Sequence, residues 1–328
     1  MNNLQAYPDL SKKLATIELL IWIFKASLIK KIMKKKFGIL YVLIVLSLCL
    51  NVSASNRQEN SLNILVIGAH PDDPEFGVGG TAYKWIQKGH NVVFVSVTNG
   101  NAGHHELTAT KLERTRRAEA RRAGDLIGAE YIILDIDDGK LMPTLENRLK
   151  IIRLIREQQA DVVITHRPYD YHPDHRYTGQ LVLDAAYMVT VPTILPNIPR
   201  LERNPMFLYM MDIFTQPTPF SPDVCVDLDD VIEIKLDLLH QHTSQFYEWG
   251  PWIRGILDQV PEGEEDKRAW MGDMWRTRFT AEPYREKLIE IYGRQRGRRI
   301  NYAECFQDSE YGVRLTKENM NYYFPFFD

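Results

Sequence analysis

The stretch Ile64-Leu65-Val66-Ile67-Gly68-Ala69-His70-Pro71-Asp72-Asp73 decides how this chain is read. An apolar run, strand-like in composition, empties at its carboxyl end into a histidine and two adjacent carboxylates. In an open α/β sheet, ligands bind beyond the carboxyl ends of the strands. The surrounding sequence supports such a sheet. A helical pattern at 79–88 puts Ala82, Trp85 and Ile86 on one face. A β-branched strand at 91–98 follows, ending in the loop Asn99-Gly100-Asn101-Ala102-Gly103. Next come a long Arg/Glu/Ala-rich helix at 108–127 stopped by Gly128, a strand at 131–134, a helix at 145–157, a strand at 161–165 and a helix at 175–187. This alternation predicts a doubly wound, mostly parallel sheet with helices on both faces. Beyond about 190 the rhythm weakens. Strands at 206–211 and 224–226 and a helix at 229–242 are expected there, giving an embellished carboxy-terminal part. Residues 62–328 read as a single domain, with a tryptophan-rich segment at 247–280.

A second cluster, His172-Pro173-Asp174-His175, lies just past the strand predicted at 161–165. Catalytic zinc sites use three His or carboxylate ligands and leave a further position for water, which the ion activates as a nucleophile. His70 and Asp73, three residues apart at a strand-to-helix turn, are the right types to share one ion. His175 would bring a third ligand from a neighbouring loop of the same crevice, and Asp72 is a candidate base. One such histidine alone reads as a hydrogen-bonded loop residue; two clusters at strand ends read as a metal site.

These residues closely resemble the motifs of the PIG-L/LmbE-like zinc N-deacetylase family. The resemblance rests on Ala69-His70-Pro71-Asp72-Asp73 with Gly79-Gly80-Thr81 behind it, and on Asp170-Tyr171-His172-Pro173-Asp174-His175. Weaker matches are Thr98-Asn99-Gly100, Arg116 with Glu119, His242-x-Ser244-Gln245 and Tyr302-Ala303-Glu304, so that it spans about 62–306. It implies a Rossmann-like fold and hydrolysis of the N-acetyl group of an N-acetylglucosamine-type sugar or glycan. It implies one Zn2+ ion, or another divalent transition metal, on His70, Asp73 and His175. Asp72 then matches the general base, His172 the donor to the oxyanion, and Asp174 the carboxylate that orients His172. An imidazole beside a carboxylate is biased to its protonated form, as a donor requires. Arg116, His104 and Asp170 are the candidates for substrate contacts. One departure is Pro74, which displaces to Glu75 a carboxylate that many members carry directly after the paired aspartates; Glu75 is expected at most to support the site from behind.

Other features have plainer readings. His166, at a strand end, reads as packing or support, and His242 and Gln245 as structural. His104 and His105 fit either an exposed loop or the substrate. Trp249, Trp252, Trp270 and Trp275 fit either a sugar platform or the packing of an added segment.

The amino terminus reads as an address. Met33-Lys34-Lys35-Lys36, the apolar run 37–46 and Val52-Ser53-Ala54 have the layout of a secretory signal, with cleavage expected after Ala54 or Ser55. The apolar run is short for a membrane span. Cys49 is a weak lipoprotein acceptor because Leu48 precedes it. Residues 1–32 precede this signal, and Met33 is the expected true start. Residues 1–54 and the linker 55–61 therefore stand outside the fold, and the protein is expected to be exported. Residues 1–54 hold eight lysines against Asp9 and Glu18, so of the formal net charge of -3 the remainder carries -9. An acidic body argues against nucleic acid as a partner. The three cysteines form no metal knuckle, which leaves Cys225 and Cys305 either paired in an oxidising compartment or as buried free thiols. No Gly-x-Gly-x-x-Gly follows the first strand, which disfavours a nucleotide-binding module. A metal-dependent amidase or esterase on a non-sugar substrate, and a carbohydrate-binding relative without catalysis, are the competing functions. Oligomeric state has no signature here.

Overall fold

Along β1 (Asn63–Gly68) the side chains alternate between two cores. Ile64 and Val66 enter one and Leu65 and Ile67 the other, so the strand is buried on both faces. The computed structural model describes residues 61–327; the expected signal, Cys49 and all of the linker except Ser61 lie outside the described residues. The described residues from Ser61 onward cluster as one compact unit.

After β1 come α1 (Asp73–Gln87), β2 (Asn91–Ser96), α2 (Ala109–Ile127), β3 (Glu130–Ile133), α3 (Leu145–Glu157), β4 (Val162–Thr165) and α4 (Pro173–Met188). β5 (Met206–Met210), β6 (Val224–Asp227), α5 (Ile232–His240), a π-helix (Ser244–Trp249), α6 (Gly250–Ile253), α7 (Glu264–Trp275), α8 (Arg285–Gly297), β7 (Ala303–Gly312) and α9 (Met320–Tyr323) follow, with 3-10 turns between some of them. The strand order is β3-β2-β1-β4-β5-β7-β6; the first five are parallel, and β7 runs antiparallel to both its neighbours. One face is covered by α1, α2 and α5, and the other by α3 and α4. The chain winds outward from β1 to β3 and then returns to start β4 on the other side of β1. The crevice between the carboxyl ends of β1 and β4 is thus the topological switch point, and both sequence clusters open into it.

The sequence predicts no strand at β7, because it mixes charged and apolar residues without alternation. It is held by a buried ion pair. Glu304 accepts from Lys235 Nζ at 2.5 Å and from the backbone N–H groups of Gly80 and Thr81 at 2.9 and 2.7 Å. Lys235 Nζ also donates to the Phe76 carbonyl at 2.6 Å and lies over the Phe279 ring. Cys225 on β6 stands opposite Cys305 on β7, and the sulfurs are bonded, so the free-thiol alternative falls.

Arg156, at the end of α3, is fully buried with no carboxylate partner among the described residues; its guanidinium donates instead to the carbonyls of Met188, Val189, Val191, Ile194 and Ile198. These include the carboxyl end of α4, where a cation meets the helix dipole and the unpaired carbonyls. Arg156→Met is expected to destabilise the fold by roughly 4 kcal/mol, because several buried carbonyls lose their donor at once. For a domain of this size that lowers the melting temperature by about 10 °C. A melting curve matching the parent protein would contradict this assignment.

Candidate metal centre

β1 ends at Gly68, where a Cβ would lie 2.6 Å from the Asp73 Cβ, so only glycine lets the turn fold back on the strand. The turn closes with Asp73 N donating to the His70 carbonyl, and α1 begins with Pro74 in its first turn. Proline there costs no hydrogen bond and sets φ for the helix. Asp72 takes φ 136°, a conformation that side-chain-bearing residues rarely adopt, and makes no side-chain capping hydrogen bond. Backbone strain of this kind is retained where surrounding structure enforces it, commonly at functional sites. It leaves the buried Asp72 carboxylate free of the capping role its position would otherwise give it.

Asp73 is anchored through Oδ2, which accepts from the backbone N–H groups of Ala69 and His70 at 2.9 and 2.7 Å. Its Oδ1 lies 3.5 Å from His175 Nε2, its Oδ2 lies 3.5 Å from His70 Nδ1, and the two ring nitrogens are 3.1 Å apart. Ligands about 2.0–2.1 Å from a tetrahedral ion are separated by roughly 3.3–3.4 Å. The Asp73 carboxylate turns one oxygen to each histidine, so the trio could converge on a single ion, and two imidazoles with one carboxylate suit a transition metal better than magnesium or calcium. Other trios in the cluster lie within 4.8 Å of one another: His70 with His172 and His175, Asp73 with His166 and His175, and His70 with Asp138 and Asp174. In the second of these, His166 Nε2 is already in contact with Ala69 N at 3.2 Å, which makes it a supporting group.

Each histidine of the first trio has carboxylates behind it. His175 Nδ1 lies 3.1 Å from Asp170 Oδ1, and His70 Nε2 lies 3.2 Å from Asp138 Oδ1 and 3.4 Å from Asp174 Oδ2. Such partners set the tautomer and orientation of ligating histidines. Asp170, expected at the substrate, is thus placed behind His175; its Oδ1 also accepts from His172 N at 3.0 Å. The expected orientation of His172 by the Asp174 carboxylate is replaced by another arrangement. Asp174 Oδ2 accepts from Gly139 N at 2.7 Å and faces His70, while His172 Nδ1 accepts from the Asp174 backbone N–H at 3.2 Å as the cap of α4. Burial, and then the charges of His70 and His175, lower the His172 pKa. With Nδ1 accepting the Asp174 N–H, the ring offers Nε2–H as its donor, in place of the carboxylate-backed imidazolium expected from the sequence.

Burial and the adjacent Asp73 charge push the Asp72 carboxyl up to about 7. Asp73 itself is held well below the usual carboxylate range: burial opposes this, but His175 and His166 outweigh it. Burial likewise works against charging His70, yet Asp138, Asp174 and Asp73 raise its pKa well above that of a free imidazole. A proton thus competes with metal for His70, more effectively as pH falls. Zinc uptake near neutral pH is expected to release a proton, seen in calorimetry as a heat that depends on the buffer's ionisation enthalpy. A buffer-independent heat would contradict it.

The remaining expected contacts are placed differently. Both ring nitrogens of His104 are occupied: Nδ1 accepts from the backbone N–H groups of Glu106 and Leu107, and Nε2 pairs with Glu248 at 2.7 Å. His104 organises its loop and has no hydrogen-bonding capacity left for substrate. Arg116 is buried and clamps the Gly103 carbonyl and Gln245 Oε1 at 3.0 and 2.6 Å, with its Nη1 3.5 Å from Asp138. Gly100, at φ 68°, lies where a Cβ would be 2.7 Å from the Arg116 Cδ. Glu119 receives Ser244 N and Oγ, so the 242–245 motif is bolted to α2. Glu75, displaced by Pro74, is fully buried against His242 Nε2 at 2.8 Å and accepts from the Tyr131 hydroxyl at 3.2 Å. Trp249 and Trp252 stack on each other, and Trp252 stacks on His105, while Trp270 and Trp275 pack on a core of Phe246, Met271 and Phe279. The packing reading of the tryptophan-rich segment fits this arrangement.

Fold and cluster define a class: a doubly wound α/β protein with a histidine–carboxylate group able to coordinate a divalent metal at its switch point. The chain belongs to the PIG-L/LmbE-like family. The family profile described as PIG-L, GlcNAc-PI de-N-acetylase, matches residues 65–186. Diacetylchitobiose deacetylase of Thermococcus kodakarensis is 32% identical over 208 residues, which is 59% of this chain and 75% of that protein. Among solved structures, N,N'-diacetylchitobiose deacetylase from Pyrococcus horikoshii has a TM-score of 0.57 at 25% identity, covering 77% of this chain and 85% of that one. The 4-carboxy-2-hydroxymuconate hydratase of Pseudomonas putida has a TM-score of 0.58 at 21% identity, covering 78% of this chain and 98% of that one. At that identity the likeness is one of fold, and a fold does not carry a reaction with it.

Proposed function

We propose that this protein is an exported, zinc-dependent hydrolase that removes the N-acetyl group from an N-acetylglucosamine-type sugar or glycan. The observation that carries the reading is the convergence of His70 Nδ1, Asp73 and His175 Nε2 within 3.5 Å, beside the buried, uncapped carboxylate of Asp72. Family membership supports a metal-dependent deacetylase on amino sugars, and the relatives' named activity on diacetylchitobiose supports the sugar class.

His70, Asp73 and His175 would hold the zinc, which supplies a Lewis acid and makes water nucleophilic near neutral pH. Asp72 takes the proton from water as the oxygen attacks the acetamido carbonyl. His172 Nε2–H donates to the oxygen that becomes negative, in a site where buried polar groups act strongly. Asp72 then returns its proton to the leaving nitrogen as the C–N bond breaks, giving acetate and a free amine. Asp170 steadies His175, and Asp138 with Asp174 steadies His70. Arg116 and His104 shape the wall of the site through Gly103, Gln245 and Glu248.

Export is supported by the signal-like layout at 33–54 and by the Cys225–Cys305 disulfide, since such bonds persist in oxidising compartments. Among the described residues no helix is long and apolar enough to cross a membrane. Amino-terminal sequencing of mature protein is expected to start after Ala54 or Ser55; a peptide from 1–32 in that material would refute it. The activity is tested by acetate release from a panel of N-acetylglucosamine saccharides with and without a chelator. Release that the chelator abolishes and zinc restores supports the reading. Release from none of them, with zinc bound, would overturn it.

A further inference from the structure

Tyr171 is 72% exposed, although it directly precedes the site residue His172. Its ring meets His172 and His175 edge-on, at 5.7 Å and 79° and at 5.4 Å and 74°. Phe214 stands beside it at 6.3 Å, tilted by 34°, and Ile213 next along the chain is 75% exposed. This apolar rim is built on a rigid support. The Arg167 guanidinium grips both oxygens of Asp212 at 2.6 and 2.7 Å and donates to the carbonyls of Phe214 and Thr218, both at 2.9 Å. Asp212 Oδ1 in turn accepts from Phe214 N at 2.9 Å. On the far side of Tyr171, Arg176 donates to the carbonyls of Asp170 and Tyr171, at 2.7 and 3.0 Å. Two buried or half-buried arginines thus hold exposed aromatic surface at the mouth of the cleft.

The contrast with Trp252 sharpens the point. Trp252 is 46% exposed, but His105 and Trp249 lie parallel to it at 5.1 and 5.2 Å, so its stacking surface is used within the protein. Tyr171 has only edge-on and tilted ring neighbours among the described residues, so a parallel ring has yet to fill its face. Tyr171 touches His172 and His175 directly, so a sugar linked to one whose acetamido group lies at the His70–Asp73–His175 trio comes within reach of its ring. The C–H face of a pyranose is apolar, and aromatic side chains bury such faces while keeping a polar tip wet.

We infer that Tyr171 and Phe214, edged by Ile213, form a subsite for the sugar ring linked to the one that loses its acetyl group, so that the substrate is an oligosaccharide of at least two units. The inference rests on the deacetylase reading. Aromatic contacts of this kind are worth about tenfold in affinity at most.

The test compares kcat/KM for di-N-acetylchitobiose and for N-acetylglucosamine, using the intact zinc-loaded protein. The disaccharide is expected to be preferred, and Tyr171→Ala to lower that preference by up to about tenfold through KM, with Tyr171→Phe retaining most of it. Calorimetry in the Asp72→Asn background should show the same weakening of disaccharide binding by Tyr171→Ala. Tyr187→Ala, at an equally exposed residue at the far end of α4, should leave both saccharides unaffected. Equal kcat/KM on the two saccharides, an equal fall on both in Tyr171→Ala, or a preference for an alkyl glycoside over the disaccharide would each overturn the subsite while leaving the deacetylase reading intact. Acetate release from neither saccharide would instead overturn the deacetylase reading.

Discussion

Asp72→Asn is expected to lower kcat by about 10²–10⁴-fold while zinc stays bound at one ion per chain. The loss corresponds to roughly 3–5 kcal/mol of transition-state stabilisation. Several features make this variant a clean probe. Asn has the same shape as Asp and similar tolerance of positive φ, so the turn at φ 136° survives. Asp72 carries no side-chain cap on α1, so the helix loses no hydrogen bond. On the proposed assignment the ligand atoms are those of His70, Asp73 and His175, all of which remain. In the metal-free protein, burial and the Asp73 charge bring the Asp72 carboxyl to about 7; a cation bound beside it draws that value down and keeps the carboxylate ionised as a base. Kinetics with metal content measured on the same sample is the check. Full activity in Asp72→Asn would remove Asp72 from the mechanism, and loss of zinc would recast it as a ligand.

His175→Ala is expected to abolish activity by a different route, through loss of the ion. With His175 as one of three proposed ligands, its removal would leave His70 and Asp73 with too few donors for a stable tetrahedral site, and it also strands Asp170, whose carboxylate lies 3.1 Å from His175 Nδ1. Zinc affinity should fall by at least a hundredfold, beyond the roughly 10–100-fold that follows loss of a partner behind a ligand. Asp170→Asn should fall within that smaller range. The comparison separates a ligand from its support: similar affinities in the two variants would mean that His175 is not bound to the ion.

Much of the doubly wound half was legible because periodicity and burial agree. The helix expected at 145–157 has those bounds as α3, with an N-cap at Thr144 that accepts from Asn147 N. β1 and β2 are continuous apolar runs, as strands buried on both faces must be. α1 begins at Asp73, six residues before its expected start at 79, and carries Gly77, Gly79 and Gly80 within it. Two of these glycines are needed for close packing: a Cβ at Gly79 would lie 2.9 Å from Leu238, and one at Gly80 would lie 2.7 Å from Leu228. β7 was illegible because Glu304 is buried by virtue of Lys235, a partner 69 residues away.

The candidate site divides in the same manner. That His70, Asp73, Asp174 and His175 would meet in one crevice was readable because they fall in two short motifs. Their supporting contacts depend on tertiary placement. Asp138 sits in the acidic loop Asp135-Ile136-Asp137-Asp138, where nothing in the sequence singles out the one carboxylate that reaches His70 and Arg116. Asp174 could not be known to turn towards His70 until Gly139 was seen to hold it there. Glu75 also gained its account from the fold: Pro74 starts α1, and the next residue turns inward to pair with His242.

The most direct test is anomalous diffraction at the zinc edge from crystals of the metal-loaded protein. A single peak about 2.0–2.2 Å from His70 Nδ1, a carboxylate oxygen of Asp73 and His175 Nε2 is predicted, with Asp72 outside bonding distance. A peak instead between His70 Nε2, Asp138 and Asp174, or no peak in protein that hydrolyses substrate, would contradict the account.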